Sequence, residues 1–135
     1  MAASSDELLA RRRQLNDRRP PPSSKCLLYV MSRDQRTVDN HALLAAQHHA
    51  IAGRLPLIVA FVVYPGSGER AREHFAFMLD GLADVADSLA AHDITFVIRT
   101  DGRPLALLRE LIDEVSPAAV YVDFSPLRGP RALRR

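Results

Sequence analysis

Four short, almost unbroken apolar runs divide this chain. They cover residues 26–31, 56–64, 95–100 and 118–123, lengths that suit strands better than core helices. A strand that is apolar on both faces must be covered on both sides, which is typical of parallel sheets. The segments between the runs carry apolar residues at helical spacing. This alternation predicts an α/β fold, in which a parallel sheet with right-handed crossovers has helices on both faces.

Four segments have the apolar spacing or the boundary residues of helices. A short helix is predicted within residues 6–15, before the prolines at 20–22. The second begins after Asp39, a suitable N-cap, and ends near Gly53. The longest covers 70–91, and the last begins with Pro104 in its first turn. The residues predicted to face the core are Leu43, Leu44, Gln47 and Ile51 in the second helix, Phe75, Met78, Leu79, Leu82, Val85, Ala86 and Leu89 in the third, and Leu105, Leu108, Leu111, Ile112 and Val115 in the fourth.

Length and composition indicate a single soluble domain. The chain has 135 residues, of which 47% are hydrophobic, enough for one ordinary core. Cys26 is the single cysteine, so neither an internal disulfide nor a paired-cysteine zinc site is possible. The N-terminal residues lack the apolar stretch of a secretory signal, and no run approaches the ~20 residues of a transmembrane helix. We therefore expect a reducing, cytoplasmic setting and no membrane partner.

The charges are distributed unevenly along the chain, although the formal net charge is only +2. Residues 1–25 hold six basic and three acidic side chains, and residues 128–135 hold four arginines. Residues 26–127 hold eight basic and thirteen acidic side chains. We expect 1–25 to be a flexible, basic, proline-rich lead-in and 26–135 to be the folded domain. Because an acidic surface binds phosphates poorly, the folded region alone is not expected to bind DNA.

Two loops with dense polar side chains follow the first and fourth strands. The first reads MSRDQR at 31–36 and continues as DNHAL at 39–43, and the second reads DFSPLR at 123–128. The first loop matches the pattern Arg-Asp-x-Arg-x-x-Asp-Asn-x-Ala-Leu that photolyases and cryptochromes share. Together with HFAFMLDGL at 74–82, these loops resemble class II DNA photolyases in particular, over about residues 25–131. The matching residues of the first loop are Arg33, Asp34, Arg36, Asp39, Asn40, Ala42 and Leu43.

The resemblance implies both a fold and a function. The strand order would be 3-2-1-4, and the family's fifth strand would be missing, so that the domain is truncated at its C-terminal end. Class II photolyases split cyclobutane pyrimidine dimers in DNA with blue light, using reduced FAD and a dimer flipped out of the duplex. FAD and the lesion pocket belong to a helical C-terminal domain, which is the expected partner and the expected route to damaged DNA. The chain alone is therefore expected to lack an FAD site and to be inactive.

The resemblance also implies a candidate ligand crevice. In an open parallel sheet, ligands bind beyond the carboxyl ends of the strands where successive connections leave in opposite directions, which in this order lies between strands one and four. The two polar loops would line it and could hold an antenna chromophore such as a deazaflavin or a folate. An ion-pair lattice that docks the helical domain is the alternative role. The candidate residues are Arg33, Arg36 and Arg128 as donors, Asp34 and Asp123 as acceptors, and Phe124 as a stacking group.

Other chemistries have weaker support in the sequence. His41, His48 and His49 are more typical of a solvated helix face than of a metal site, and we assign no metal ligand. Residues 65–70 lack the Gly-Lys-Ser/Thr ending of a phosphate loop. No G-x-S-x-G elbow is present, so we assign no catalytic residue. The alternative function is a stand-alone nucleotide-binding protein or a non-catalytic interaction module of the same fold class.

Overall fold

The computed structural model describes residues 4–32, 35–63, 69–100 and 102–123. Its strands are β1 (Cys26–Met31), β2 (Leu57–Val62), β3 (Thr95–Arg99) and β4 (Pro117–Val122). Its helices are α1 (Ser5–Ala10), α2 (His41–Gly53), α3 (Glu69–Ala90) and α4 (Pro104–Val115). The strands are all parallel in the order β3-β2-β1-β4, which confirms the predicted fold class and strand order. Residues 124–135 lie outside the described residues.

The two faces of the sheet bury two separate apolar clusters. Leu27, Tyr29 and Met31 of β1 face a cluster that contains residues of α2 and α3. Leu28, which points the opposite way, packs with Leu111 of α4. This alternation follows from the two-residue period of a strand. The helices therefore cover both faces, as the apolar strands require, and each fully buried leucine contributes roughly 1.5–3 kcal/mol through removal of its side chain from water.

The central and edge strands differ in burial. β1 and β2 are buried almost throughout, as predicted for strands covered on both faces. β3 and β4 are only partly buried, because each pairs with one neighbour among the described strands. Ile98 of β3 and Val120 of β4 are exposed to 39% and 40%. The two edge strands are therefore less buried than the two central strands, although helices cover both faces of the sheet.

Helix α2 differs from its predicted form at its N-cap and on its buried face. Its N-cap is Asn40, whose side chain accepts a hydrogen bond from the Leu43 backbone N–H, whereas Asp39 precedes it with a φ of 52°. The cap side chain is fully buried and must also donate hydrogen bonds, which an amide can do and a carboxylate cannot. The buried residues are Leu43, Ala46 and Ala50, and the predicted core residue Ile51 is 77% exposed.

Helices α3 and α4 match their predicted positions closely. The buried stripe of α3 consists of Leu82, Val85 and Leu89, while Leu79, predicted to face the core, is exposed to 40%. Helix α4 begins with Pro104, as predicted, and buries Leu111. Leu105 is exposed, since only a narrow stripe of α4 contacts the sheet. The C-cap residues Arg54 and Ser116 have positive φ, so neither helix α2 nor helix α4 ends on the glycine that commonly fills this role.

The N-terminal region contains α1, which ends at Ala10 and is shorter than the predicted helix within residues 6–15. Immediately before β1, the backbone N–H of Lys25 donates a hydrogen bond to the carbonyl of Ser116. Among the described residues, no helix combines the length and apolar character needed to cross a membrane.

Candidate functional site

The candidate crevice lies at the carboxyl ends of β1 and β4. These strands are neighbours in the sheet although they are the first and last in sequence, and Val30 pairs with Val122 near their ends. The connection from β1 leads to β2 on one side, whereas β4 lies on the other side. This is the switch point at which open parallel sheets bind ligands. Ser32 and Asp123 follow the two strand ends directly.

Asp123 is the centre of a buried hydrogen-bond network at this switch point. The Tyr29 hydroxyl donates to its Oδ1 at 2.6 Å. Its Oδ2 accepts from the Ser32 backbone N–H at 2.9 Å and from the Ser32 hydroxyl at 3.4 Å. The residue is only 3% exposed, so these donors replace the water that the carboxyl group loses on folding. The network therefore binds the start of the first polar loop to the start of the second.

Asn40 extends the same network to helix α2. Its Nδ2 donates to the Tyr29 hydroxyl at 3.0 Å and to the Arg36 carbonyl at 3.0 Å. Its Oδ1 accepts from the Leu43 backbone N–H at 3.0 Å and so caps the helix. One side chain thus holds the strand, the loop and the helix N-terminus together. Among the described residues, every buried side-chain nitrogen and oxygen has a hydrogen-bond partner.

Arg36 is exposed and lies beside this buried network. Its Nη2 donates to the Asp39 carbonyl at 3.1 Å, and Gln35 Nε2 donates to the Ser32 carbonyl at 3.1 Å. A guanidinium has five N–H donors, so Arg36 keeps further donors for a ligand or a docked surface. Its backbone carbonyl accepts a hydrogen bond from Asn40 Nδ2, which fixes the backbone of this residue beside the buried network.

The predicted site residues have different outcomes. The structure brings Arg36 and Asp123 into loops that the Tyr29 and Asn40 side chains connect. The other four predicted site residues lie outside the described residues; they are Arg33, Asp34, Phe124 and Arg128.

The sequence predictions did not assign Tyr29, Ser32 or Asn40 to the site. A hydroxyl in the otherwise aliphatic first strand was the available signal for Tyr29, because a buried tyrosine hydroxyl usually finds a partner. Asn40 was part of the family pattern but had no assigned role. The sequence did not distinguish Asn40 from the neighbouring Asp39 as the N-cap, since both residue types are good N-caps.

His41 and His49 have hydrogen-bond partners outside the Asp123 network. His49 Nδ1 lies 2.9 Å from the Tyr121 hydroxyl, and His41 Nε2 lies 2.8 Å from Arg11 Nη1. In the part of the chain that the structure describes, no three His, Cys, Asp or Glu side chains are grouped as a metal site requires. A shallow groove of about 330 Å³ lies at the amino ends of β2 and β3, between the ends of α2 and α3, and is lined in part by Ile51 and His92.

Comparison with known proteins gives the crevice a family context. The family model described as DNA photolyase matches residues 27–135. A protein from Potorous tridactylus named deoxyribodipyrimidine photo-lyase is 38% identical over 104 residues, which cover 77% of this chain and 19% of that protein. A protein of the same name from Oryza sativa subsp. japonica is 37% identical over 107 residues, covering 78% of this chain and 21% of the relative.

An archaeal protein, from Methanothermobacter thermautotrophicus, carries the same name and is 34% identical over 86 residues, or 62% of this chain and 19% of its own length. The chain thus spans about a fifth of the length of these relatives. The family match covers the whole sheet from the second residue of β1, together with both crevice loops. The chain belongs to the DNA photolyase family.

Proposed function

We propose that this chain is the N-terminal antenna and docking domain of a deoxyribodipyrimidine photolyase, which acts in the light-dependent repair of UV-induced pyrimidine dimers in DNA. The family match over residues 27–135 is the observation that carries this proposal. The first crevice loop and the stretch at 74–82 favour the class II branch. We place the domain in the cytoplasm, where its buried free thiol, Cys26, would stay reduced.

The proposed division of labour follows from the length of the relatives. They are about five times longer than the aligned region, which leaves room for the helical domain that holds FAD. When FAD is bound there, it supplies the electron that splits the dimer. The residues of this chain would position that domain and reach damaged DNA only through it.

The described residues fit an antenna site in which Asp123 and Arg36 have different roles. Both oxygens of the Asp123 carboxyl group already accept hydrogen bonds inside the protein, so we assign it to positioning the two loops. Arg36 is exposed and retains donors, so we assign it to the acidic groups of a deazaflavin or folate chromophore. Arg33, Asp34, Phe124 and Arg128 would complete the ligand contacts.

The same loops offer a second role as the docking surface for the helical domain. The buried network favours this role as strongly as the first, because it fixes the positions of both loops before any partner binds. Preorganised loops lose little conformational entropy on association. Arg36 would then pair with an acidic group of the partner domain instead of a chromophore.

Two measurements on the purified 135-residue chain test the proposal. Flavin absorbance and dimer repair under blue light should both be absent, with the Potorous relative as the positive control. Stoichiometric FAD on the chain alone would contradict the proposal that the helical domain holds FAD.

Fluorescence titration with a deazaflavin and with a folate then separates the two roles of Arg36. Arg36→Gln should weaken chromophore binding by about tenfold, the effect of losing one charge-assisted contact of about 1.4 kcal/mol. Arg109→Gln on α4, at the opposite face of the sheet, is the matched control and should bind as the unaltered chain does. Equal binding by both variants would assign Arg36 to docking.

A further inference from the structure

The arginine strap, which we define as residues 11–19, is the most basic stretch of the described chain. It holds five arginines and one acidic residue, Asp17, and every residue in it is exposed. The region that follows has the opposite balance, since residues 26–127 hold eight basic and thirteen acidic side chains. The excess positive charge is therefore concentrated on one short, accessible segment.

The arginine strap lies between two contacts with the ends of β4. Near the carboxyl end of this strand, Arg12 Nη1 donates to the Tyr121 hydroxyl at 3.4 Å. At the amino end, the backbone N–H of Lys25 donates to the carbonyl of Ser116 at 3.1 Å. Helix α1, which precedes the strap, lies against α2. The chain therefore passes from one end of β4 to the other, a distance of about 20 Å for a strand of this length.

Local hydrogen bonds and prolines restrict the backbone of this segment. Gln14 Nε2 donates to the Asn16 carbonyl at 2.7 Å, and the Arg18 backbone N–H donates to Asn16 Oδ1 at 3.1 Å. The three prolines at 20–22 fix their own φ angles. A restricted backbone loses less conformational entropy when its side chains bind a partner.

Three arginines of the strap have side chains that the fold does not use. Arg13, Arg18 and Arg19 form no side-chain hydrogen bond or ion pair with the described residues. Arg11, by comparison, lies 3.9 Å from Glu7. A guanidinium stays charged at physiological pH and has five N–H donors. These three side chains can therefore donate to acceptors outside the chain.

A phosphate polymer is the acceptor that this arrangement fits best. A guanidinium matches the geometry of a phosphate through two parallel hydrogen bonds. Single exposed ion pairs between proteins gain little, whereas each phosphate of DNA that is neutralised releases condensed counterions. Duplex DNA presents about twelve phosphate charges along a length of about 20 Å. Clustered arginines beside an otherwise acidic surface are typical of binding to a nucleic-acid backbone.

We propose that the arginine strap binds the phosphate backbone of duplex DNA without sequence preference, which gives this chain a DNA contact of its own. This goes beyond the proposed function, in which the helical domain is the route to damaged DNA, and rests on that function only for the choice of DNA among polyanions. Phosphate contacts fix position and orientation but carry no sequence information. The strap holds the duplex beside β4 while the helical domain recognises the lesion.

Fluorescence anisotropy of a labelled, undamaged duplex, titrated in the dark with the 135-residue chain, tests the proposal. Two duplexes of unrelated sequence should bind with similar Kd at about 50 mM salt, and the logarithm of the binding constant should fall linearly with the logarithm of the salt concentration. The assay requires neither FAD nor a pyrimidine dimer, so its failure is distinguishable from failure of the proposed function.

The triple variant Arg13→Gln/Arg18→Gln/Arg19→Gln removes the three guanidiniums that the fold does not use. Its Kd for the duplex at about 50 mM salt should rise at least about tenfold. The salt dependence should become shallower by about 0.9 for each phosphate contact that is lost. Because all three side chains are exposed, the circular dichroism spectrum should not change.

The triple variant Arg54→Gln/Arg103→Gln/Arg109→Gln is the matched control. It lowers the net charge by the same amount at exposed positions outside the strap. Its Kd and its salt dependence should stay close to those of the unaltered chain.

Any of three results would overturn the proposal. Equal weakening by the two triple variants would make net charge responsible rather than the strap. Duplex binding that is absent at about 50 mM salt, or that does not weaken as salt is added, would exclude phosphate contacts. Binding to vesicles of phosphatidylcholine and phosphatidylserine in equal parts, without binding to the duplex, would assign the strap to an anionic membrane surface.

Discussion

The Tyr29 hydroxyl donates a 2.6 Å hydrogen bond to Oδ1 of Asp123, 94 positions later in the sequence. Tyr29 lies in β1, and Asp123 directly follows β4. This hydrogen bond therefore links β1 to the residue that follows β4, beside the candidate crevice at the carboxyl ends of these two strands. Because Asp123 is almost fully buried, the bond is shielded from competing water.

Tyr29→Phe should lower the free energy of unfolding by about 2–3 kcal/mol, since it leaves a buried carboxyl oxygen and an Asn40 amide without their partner. Urea unfolding followed by circular dichroism measures the change. Tyr121→Phe is the matched control, because among the described residues its hydroxyl contacts the half-buried His49 and the exposed Arg12, and it should cost less than about 1 kcal/mol. Equal losses in the two variants would show that the buried Tyr29 hydroxyl stabilises the fold no more than the less buried Tyr121 hydroxyl does.

Asn40→Ala should destabilise the chain by about 2–4 kcal/mol, because it removes both the helix cap and the hydrogen bonds to Tyr29 and Arg36. Asp39→Gly should be neutral or slightly stabilising, because glycine adopts the positive φ of this position without strain. Thermal unfolding of both variants decides between the two caps. A loss below about 0.5 kcal/mol for Asn40→Ala would contradict the assignment of the cap to Asn40.

The sequence predicted the sheet and its order well, because buried strands leave a strong apolar pattern and the family resemblance supplied the order. The burial of β3 and β4 could not be predicted in the same way, since an edge strand carries a similar run of apolar residues. The prediction of Asp39 as the N-cap was wrong because Asp39 and Asn40 are equally good caps in isolation. Which residue caps the helix depends on the buried Tyr29 hydroxyl, which the tertiary fold brings close to Asn40.

The candidate site was predicted in part for a related physical reason. Charged residues in loops drew attention to Arg36 and Asp123; Asp123 lies in the buried network at the end of β4, and the Arg36 carbonyl is bonded to that network through Asn40. Their different roles follow from burial, which the loop sequences do not reveal. Tyr29 and Asn40 hold the loops in place, yet they lie in a strand and at a helix start, where the apolar pattern predicts only packing.

Cys26 should react slowly with alkylating reagents in the folded chain. Its Sγ donates to the Val115 carbonyl, and burial raises the pKa of the thiol above its ordinary value. The folded state therefore holds this proton to higher pH than the unfolded chain does. The corresponding contribution to stability is complete below the unfolded pKa and is lost as pH rises through the folded pKa.

Iodoacetamide labelling followed by mass spectrometry measures this reactivity. Ser23→Cys in a Cys26→Ser background supplies an exposed thiol as the control, and its rate should exceed that of native Cys26 at least about tenfold. Comparable rates in the native state would mean that the thiol is accessible and that β1 opens readily.

Val120→Lys should reduce self-association of the chain. Val120 is 40% exposed on β4, an edge strand whose six residues carry no charge, and such edges pair readily with other chains. Light scattering against protein concentration gives the measurement. Val38→Lys adds the same charge at a position that is 71% exposed and lies outside the strands. If both substitutions reduce scattering equally, net charge is responsible and the β4 edge is not.

Dimer repair by a chimaera tests the proposed function most directly. In the Potorous tridactylus relative, the region that aligns with this chain is replaced by the corresponding residues of this chain, within the family match at 27–135. If this chain is a photolyase α/β domain, the chimaera should retain FAD and remove pyrimidine dimers from DNA under blue light but not in the dark. A chimaera that unfolds cooperatively yet holds no FAD and repairs no dimers would contradict the account.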